Sequence, residues 1–265
     1  MRSFLYGFIF NLQFFTTIPI KGIQVPLDRE SLRRSVQLFP LLGLLQGLLF
    51  SLLAYILYTW TSLSPLVLTL VLWLFPILFT GGLHLDGWID SSDAYFSYRD
   101  KKRRIEILAD PAVGAFGLLS VIVLLVLRFV FLYEIVQKLV PASFVLFLLV
   151  PFFSRVSMNM FITFIPPLKD EGLGRMFHQA SHPNILLYNG GFILLLYLFL
   201  YLYEPSLLIV GLLFFLAMLL AYLVIKRKIV TAFGGINGDL AGGATEGMET
   251  ILWLLLWVYH YYVMG

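Results

Sequence analysis

The sequence predicts an all-α, polytopic membrane protein, and three observations carry that prediction. Apolar residues make up 60% of the 265-residue chain and charged residues only 12%, against roughly 45–50% and 25% in soluble domains; mean hydropathy is +0.91. Apolar segments close to the length of a bilayer-spanning helix recur along the whole chain. Fourteen of the 18 Lys and Arg residues fall in the alternate connections 21–34, 81–112, 166–182 and 226–248, the bias that marks the cytoplasmic side of a multi-pass protein. The opposite connections hold only Lys138.

Taken in order, residues 3–20 carry no charge, but Asn11, Gln13, Thr16 and Thr17 crowd their second half and Pro19 closes them. A re-entrant, interfacial or eighth spanning helix is expected there. Residues 36–58 form a clear span. Residues 65–80 are shorter, contain Pro76, and reach full length only by continuing into Gly81 and Gly82. Segments 113–133 and 142–165 follow, joined at Pro141. Segments 185–203 and 206–225 are separated by little more than Glu204 and Pro205, so a tight helical hairpin is expected. Residues 250–263 are short enough to borrow from the loop before them. The count is about seven crossings plus the N-terminal helix, in one integral membrane domain over 1–265 with no internal repeat. The N-terminus lacks a small-residue cleavage site and is expected to stay in the mature protein. The absence of Cys excludes disulfides and thiolate metal sites, and a net charge of +3 from membrane-flanking residues argues against nucleic acid as a partner.

Residues 81–117 hold six of the fifteen acidic residues. Asp86, Asp90 and Asp93 are spaced i, i+4 and i+7, one face of a helix. Three like charges repel unless a cation lies among them, and hard oxygen ligands of this density suit Mg²⁺ or Mn²⁺. Glu106 and Asp110 repeat the i, i+4 spacing, and Arg99, Lys101, Lys102, Arg103 and Arg104 lie between the two groups. The bland alternative is a solvated loop between membrane helices. In the second chemical stretch, 234–249, Asp239 and Glu246 are seven apart, and Gly234, Gly235, Gly238, Gly242 and Gly243 clear space for a backbone or a ligand. Tight helix packing is the alternative use of those glycines.

Two arginines lie inside apolar segments. Arg128 is expected to snorkel from the non-cytoplasmic end of its span. Arg155 is expected to face the bundle interior and to pair with an Asp of the acidic cluster or to hold a phosphate. His84 is offset by two residues from Asp86 and is expected to point elsewhere on the helix, while His178, His182 and His260 read as surface or interfacial.

The motifs GGLHLDGWIDSSDA, EILADPAVGAFG, Ser154–Arg155, EGLG at 171–174 and GGINGDLAGGATE resemble, in order and over most of the chain, those of the cobalamin synthase family of adenosylcobinamide-GDP ribazoletransferases. Asn237 stands where the family more often has Thr, Pro111 and Ala112 replace a commoner Ser-Arg pair, and Ala241 falls at a usual Leu; no carboxylate is lost. The resemblance implies a Mg²⁺-requiring enzyme of the late cobamide pathway, in a bacterial or archaeal cytoplasmic membrane with its site facing the cytoplasm. It would join α-ribazole, or its 5′-phosphate, to adenosylcobinamide-GDP and release GMP. Phosphoryl transfer from a pyrophosphate needs charge neutralised and the nucleophile held in line. Asp86, Asp90, Asp93 and Asp110 are therefore the expected metal ligands, with Asp93, then Glu106, as base and Asp86 also catalytic. Lys102, Arg103 and Arg155 are expected on the pyrophosphate, and Gly234, Gly235, Gly238, Asp239 and Glu246 on a nucleotide or the second substrate. A CDP-alcohol phosphotransferase-like lipid synthase is the alternative enzyme, and a secondary transporter the alternative class, though no broken-helix pair repeats in the two halves. The bilayer is the expected surrounding, and a homo-oligomer is left open.

Overall fold

The computed structural model describes residues 2–264 as a bundle of α-helices. They are α1 (Arg2–Phe15), α2 (Arg29–Gln37), α3 (Phe39–Trp60), α4 (Pro65–Thr80), α5 (Leu83–Phe96), α6 (Lys101–Leu108), α7 (Ala115–Val136), α8 (Pro141–Leu146), α9 (Leu149–Phe164), α10 (Leu173–Ala180), α11 (Ile185–Tyr203), α12 (Leu207–Phe233) and α13 (Gly238–Tyr259). A π-helical turn, His260–Met264, extends the last helix.

Five helical segments are long and apolar enough to cross a membrane: α3, α7, the pair α8 and α9 taken together, α11 and α12. The expected span at 65–80 does not continue through Gly81 and Gly82. Both glycines adopt left-handed backbone, φ 64° and 77°, a conformation costly to other residues, and α5 leaves at 87° to α4. Counting that bent pair as one crossing gives six rather than seven. Helix α1 has 14 residues, about 21 Å at ~1.5 Å per residue, too short for a hydrocarbon core of about 30 Å. Helix α13 does reach back through the glycine-rich loop, as its short apolar tail requires. Its polar first half lowers its hydropathy, and Glu246 and Glu249 on it are buried while Asp239 is half-buried.

The stretch Pro141–Phe164 is the central pillar: 94% of its spanning window is buried, against 22–39% in the other four spans. Of those four, α3, α11 and α12 pack against it and α7 packs on α4, α5 and α13; they turn Leu-rich faces outward, such as Leu187, Leu194 and Leu202 of α11, as lipid-facing helices do. At one end, the chain after α9 meets the chain after α12 through Leu168 N donating to Ile236 O and Ile236 N to Pro166 O, both 2.8 Å. At the other end, Ser143 Oγ meets His260 Nε2 at 2.8 Å and the Lys138 ammonium lies 5.0 Å from the Tyr261 ring centroid. Every acidic motif of the sequence sits at or towards the first end.

Candidate active site

The two chemical stretches meet because α5 packs along α13. A Cβ at Gly87 would collide with the Asp239 carbonyl oxygen, and one at Gly243 would come within 2.8 Å of Ser91 Oγ. Ser91 Oγ itself donates to Asp239 O at 3.3 Å. Small residues on both faces therefore let two backbones touch, with acidic side chains flanking the seam. At the start of α13, Asn237 caps the helix by accepting from Leu240 N at 3.0 Å, and its Nδ2 donates to Asp239 Oδ2 at 2.8 Å. An N-cap and an acidic first turn suit the positive end of the helix dipole.

Beside the seam lies a cavity of about 310 Å³. Asp86 and Asp239 line it, so the two distant stretches share one space, as do Gly238, Lys169, Glu171 and Arg175. The remaining wall is mostly apolar and includes Phe14, Phe15 and Phe177. The geometry is that of a small-ligand site: an apolar wall with a few polar groups that fix orientation. His84 also lines this cavity, only 2% exposed, and so does not point away from Asp86 as expected.

The carboxylates repel one another. Asp90 is pushed up to about 6 by partial burial first, then by Asp86, Asp239 and Asp93. Asp239 is raised mainly by burial, with Asp86 adding to the shift and Asn237 and Lys169 opposing it. A cation among these groups would relieve the repulsion. Among the described residues no three His, Asp or Glu side chains converge as a ready metal cage. The expected four-carboxylate set of Asp86, Asp90, Asp93 and Asp110 is therefore not assembled; Asp86 and Asp90, one turn apart on α5, are the oxygen donors left for a Mg²⁺ ion, which commonly takes one or two protein carboxylates beside water and substrate phosphates.

Several expected site residues lie elsewhere. Asp93 turns from the acidic face towards α7, accepting from Gly114 N at 2.6 Å and Gly117 N at 2.9 Å; it anchors the start of that helix. Asp110 closes its own turn by accepting from Ala112 N at 3.0 Å. Glu106 pairs with Arg103 at 2.7 Å on exposed α6, and Lys102 is exposed on the same helix. None of these five lines the cavity. Arg155, 1% exposed, faces Glu249 at 3.6 Å and donates to Gln46 Oε1 at 2.9 Å; it pairs with no Asp. Glu246 is held by Arg128 at 2.6 Å, so Arg128 is an interior ion pair and not a snorkelling side chain. Gly234 ends α12 in left-handed backbone, Gly235 lies against Pro166 and Leu168, and only Gly238 of the three reaches the cavity. Sequence reasoning missed Lys169 and Arg175 as site residues; their flanking of the EGLG motif was the available signal.

A multi-pass helical bundle whose charged end opens into a cavity with carboxylates and cations on facing segments is equipped as a membrane enzyme acting on phosphorylated substrates. The chain belongs to the cobalamin-5-phosphate synthase family, whose model matches residues 7–257. It is similar to the adenosylcobinamide-GDP ribazoletransferase of Geobacillus sp. (strain WCH70), 36% identical over 270 residues and the full length of both chains. The protein of the same name from Halalkalibacterium halodurans is 36% identical over 98% of each chain, and that from Acinetobacter baumannii (strain ACICU) 29% over 96% of this chain and 97% of its own. No solved structure matches.

Proposed function

We propose that the protein is an adenosylcobinamide-GDP ribazoletransferase that uses the cavity beside the α5–α13 seam for a late step of cobamide synthesis. Supporting this reading is the joint lining of that cavity by Asp86, Asp239, Lys169 and Arg175. A hydroxyl oxygen of α-ribazole, or of its 5′-phosphate, forms a bond to the phosphorus that carries the corrinoid. The anhydride bond to the second phosphorus breaks, and GMP leaves with the bridging oxygen. The hydroxyl proton passes to a carboxylate within reach. Asp239, in the cavity and oriented by Asn237, is better situated for this than Asp93 or Glu106. Asp86 and Asp90 are the side chains that would hold Mg²⁺ with the pyrophosphate, and the ion would supply charge neutralisation on the phosphate oxygens. Lys169 and Arg175 complement the remaining negative charge from the facing segment. The bias of basic residues supports a cytoplasmic orientation for this end.

Purified protein with Mg²⁺, adenosylcobinamide-GDP and α-ribazole 5′-phosphate should release GMP in step with a corrinoid product. Flux of labelled substrate into proteoliposomes without a covalent product would favour a transporter instead.

A further inference from the structure

A second group of cations gathers outside the cavity, where α6 meets α5 and α12. On α6, Lys101, Arg104 and the buried Leu108 are spaced i, i+3 and i+7, one face of a helix, and α6 packs on both α5 and α12. The Arg104 guanidinium lies 5.5 Å from the ring centroid of Tyr95 on α5, and the ammonium of Lys228 on α12 lies 5.8 Å from the same centroid. Lys101 Nζ stands 4.0 Å from the place a Cβ would take at Gly234, the residue that ends α12 in left-handed backbone. Cations from two helices therefore share one small space. Among the described residues none of these three cations is within ion-pair distance of a carboxylate. The acidic groups of α6 are engaged elsewhere: Asp100 caps the helix by accepting from Arg103 N at 2.9 Å, and Glu106 takes the Arg103 side chain. Arg104 Nε is shielded from solvent and has no hydrogen-bond partner, which is uncommon for a buried polar atom. An aromatic face offsets a little of the repulsion between cations, and an anion among them offsets far more. Lys226, by contrast, lies over Tyr222 of its own helix, 5.8 Å from the centroid, as a lysine flanking a membrane span ordinarily does. The cluster adjoins the acidic seam along the chain: Gly234 is five residues before Asp239, and Tyr95 five residues after Asp90.

We propose that Lys101, Arg104 and Lys228 form a phosphate subsite for the guanosine end of adenosylcobinamide-GDP, the end that leaves as GMP. The inference rests on the ribazoletransferase reading. The carboxylate seam serves the phosphorus that carries the corrinoid, and the α6–α12 cluster serves the phosphorus that departs. When the anhydride bond breaks, the bridging oxygen leaves with GMP, and its new negative charge falls among these cations. The phosphate of an anionic lipid headgroup has the same chemistry, and the test separates the two sources.

The test uses the full-length protein in detergent with Lys101→Gln, Lys228→Gln and the control Lys226→Gln. Each of the first two should raise the KM for adenosylcobinamide-GDP and the Kd for GMP roughly ten- to a hundredfold, the scale of one charge-assisted hydrogen bond. The KM for α-ribazole 5′-phosphate and the melting temperature should stay unchanged, and Lys226→Gln should behave as wild type. A merely structural role would move both KM values and the melting temperature together, and that result would overturn the proposal. So would an unchanged donor KM and GMP Kd in both variants. Loss of the thermal shift given by phosphatidylglycerol, with GMP binding intact, would assign the cluster to lipid and overturn it as well. Failure of the ribazoletransferase reading is seen separately, because GMP binding needs no turnover. Wild type that releases no GMP yet binds it, with binding weakened in Lys101→Gln and Lys228→Gln, still supports the subsite; wild type that neither releases nor binds GMP overturns it.

Discussion

Arg128 Nη1 lies 2.6 Å from Glu246 Oε2, and the same guanidinium donates through Nη2 to the Glu246 carbonyl oxygen, also at 2.6 Å. Its Nε reaches Thr250 Oγ1 at 2.9 Å, so one side chain of α7 clamps two residues of α13. Removing one member leaves a buried charge without its partner, a cost of about 3–5 kcal/mol. Arg128→Met should therefore sharply lower the melting temperature in detergent. The double variant Arg128→Met with Glu246→Met should recover much of that loss. Fluorescence-detected thermal unfolding of the three variants checks both statements.

Asp93 and Asp86 share a helix but should respond differently to the same change. Asp93→Asn replaces an acceptor for Gly117 N or Gly114 N by an NH₂ that faces a backbone donor, with an expected cost of about 1–3 kcal/mol. Its main effect should be a lower melting temperature. Asp86→Asn removes a mutually repelling charge from the cavity and should leave the melting temperature unchanged or higher while turnover collapses. Parallel unfolding and GMP-release measurements on the two variants make the comparison.

The carboxyl of Asp90 titrates at about 6 against an ordinary value of 3.8. A carboxyl raised on folding stabilises the fold below the unfolded value, and that contribution is lost as pH rises through the folded one. The metal-free protein should therefore lose this contribution between about pH 4 and 6. Mg²⁺ binding, which requires the ionised form, should strengthen across the same window. Melting temperatures with and without Mg²⁺ should diverge as pH rises, less so in Asp90→Asn. The same Mg²⁺ shift at about pH 5 and about pH 7 would contradict a role for Asp90 in holding the ion.

Orientation is open to a direct chemical test, since the chain has no Cys. Single cysteines at Lys101, Lys169 and Lys228 should be shielded from an impermeant thiol reagent added outside intact cells, and one at Ser62 should be labelled. Labelling of any of the first three from outside would reverse or break the proposed topology.

The elements of this fold were legible where a local rule fixed them. The spacing of Asp86, Asp90 and Asp93 gave a helix, and α5 is that helix; the bounds 65–80 and 185–203 are those of α4 and α11. The break at Gly81 and Gly82 was visible as a pair of glycines, but its 87° consequence depends on how α5 finds α13. Asp93 illustrates what phasing omits. Helical geometry puts it on the acidic face, yet Gly114 and Gly117 arrive from another helix and take both its oxygens. Arg128 and Arg155 were recognisable as exceptional charges, but their partners Glu246 and Glu249 come from a helix whose hydropathy is low because those glutamates lie on it. Lys169 and Arg175 were isolated basic residues in a loop, and only the tertiary fold carries them to Asp86 and Asp239.

The claim that the two distant stretches form one site is tested most directly by GMP release from Asp86→Asn, Asp239→Asn and the double variant. Each single change should lower turnover at least about a hundredfold, the scale of losing one electrostatic contact to a transition state. The double variant should be little worse than either, as expected of groups that act as a unit. Losses that multiply in the double variant, or near-normal turnover in either single one, would contradict a shared site.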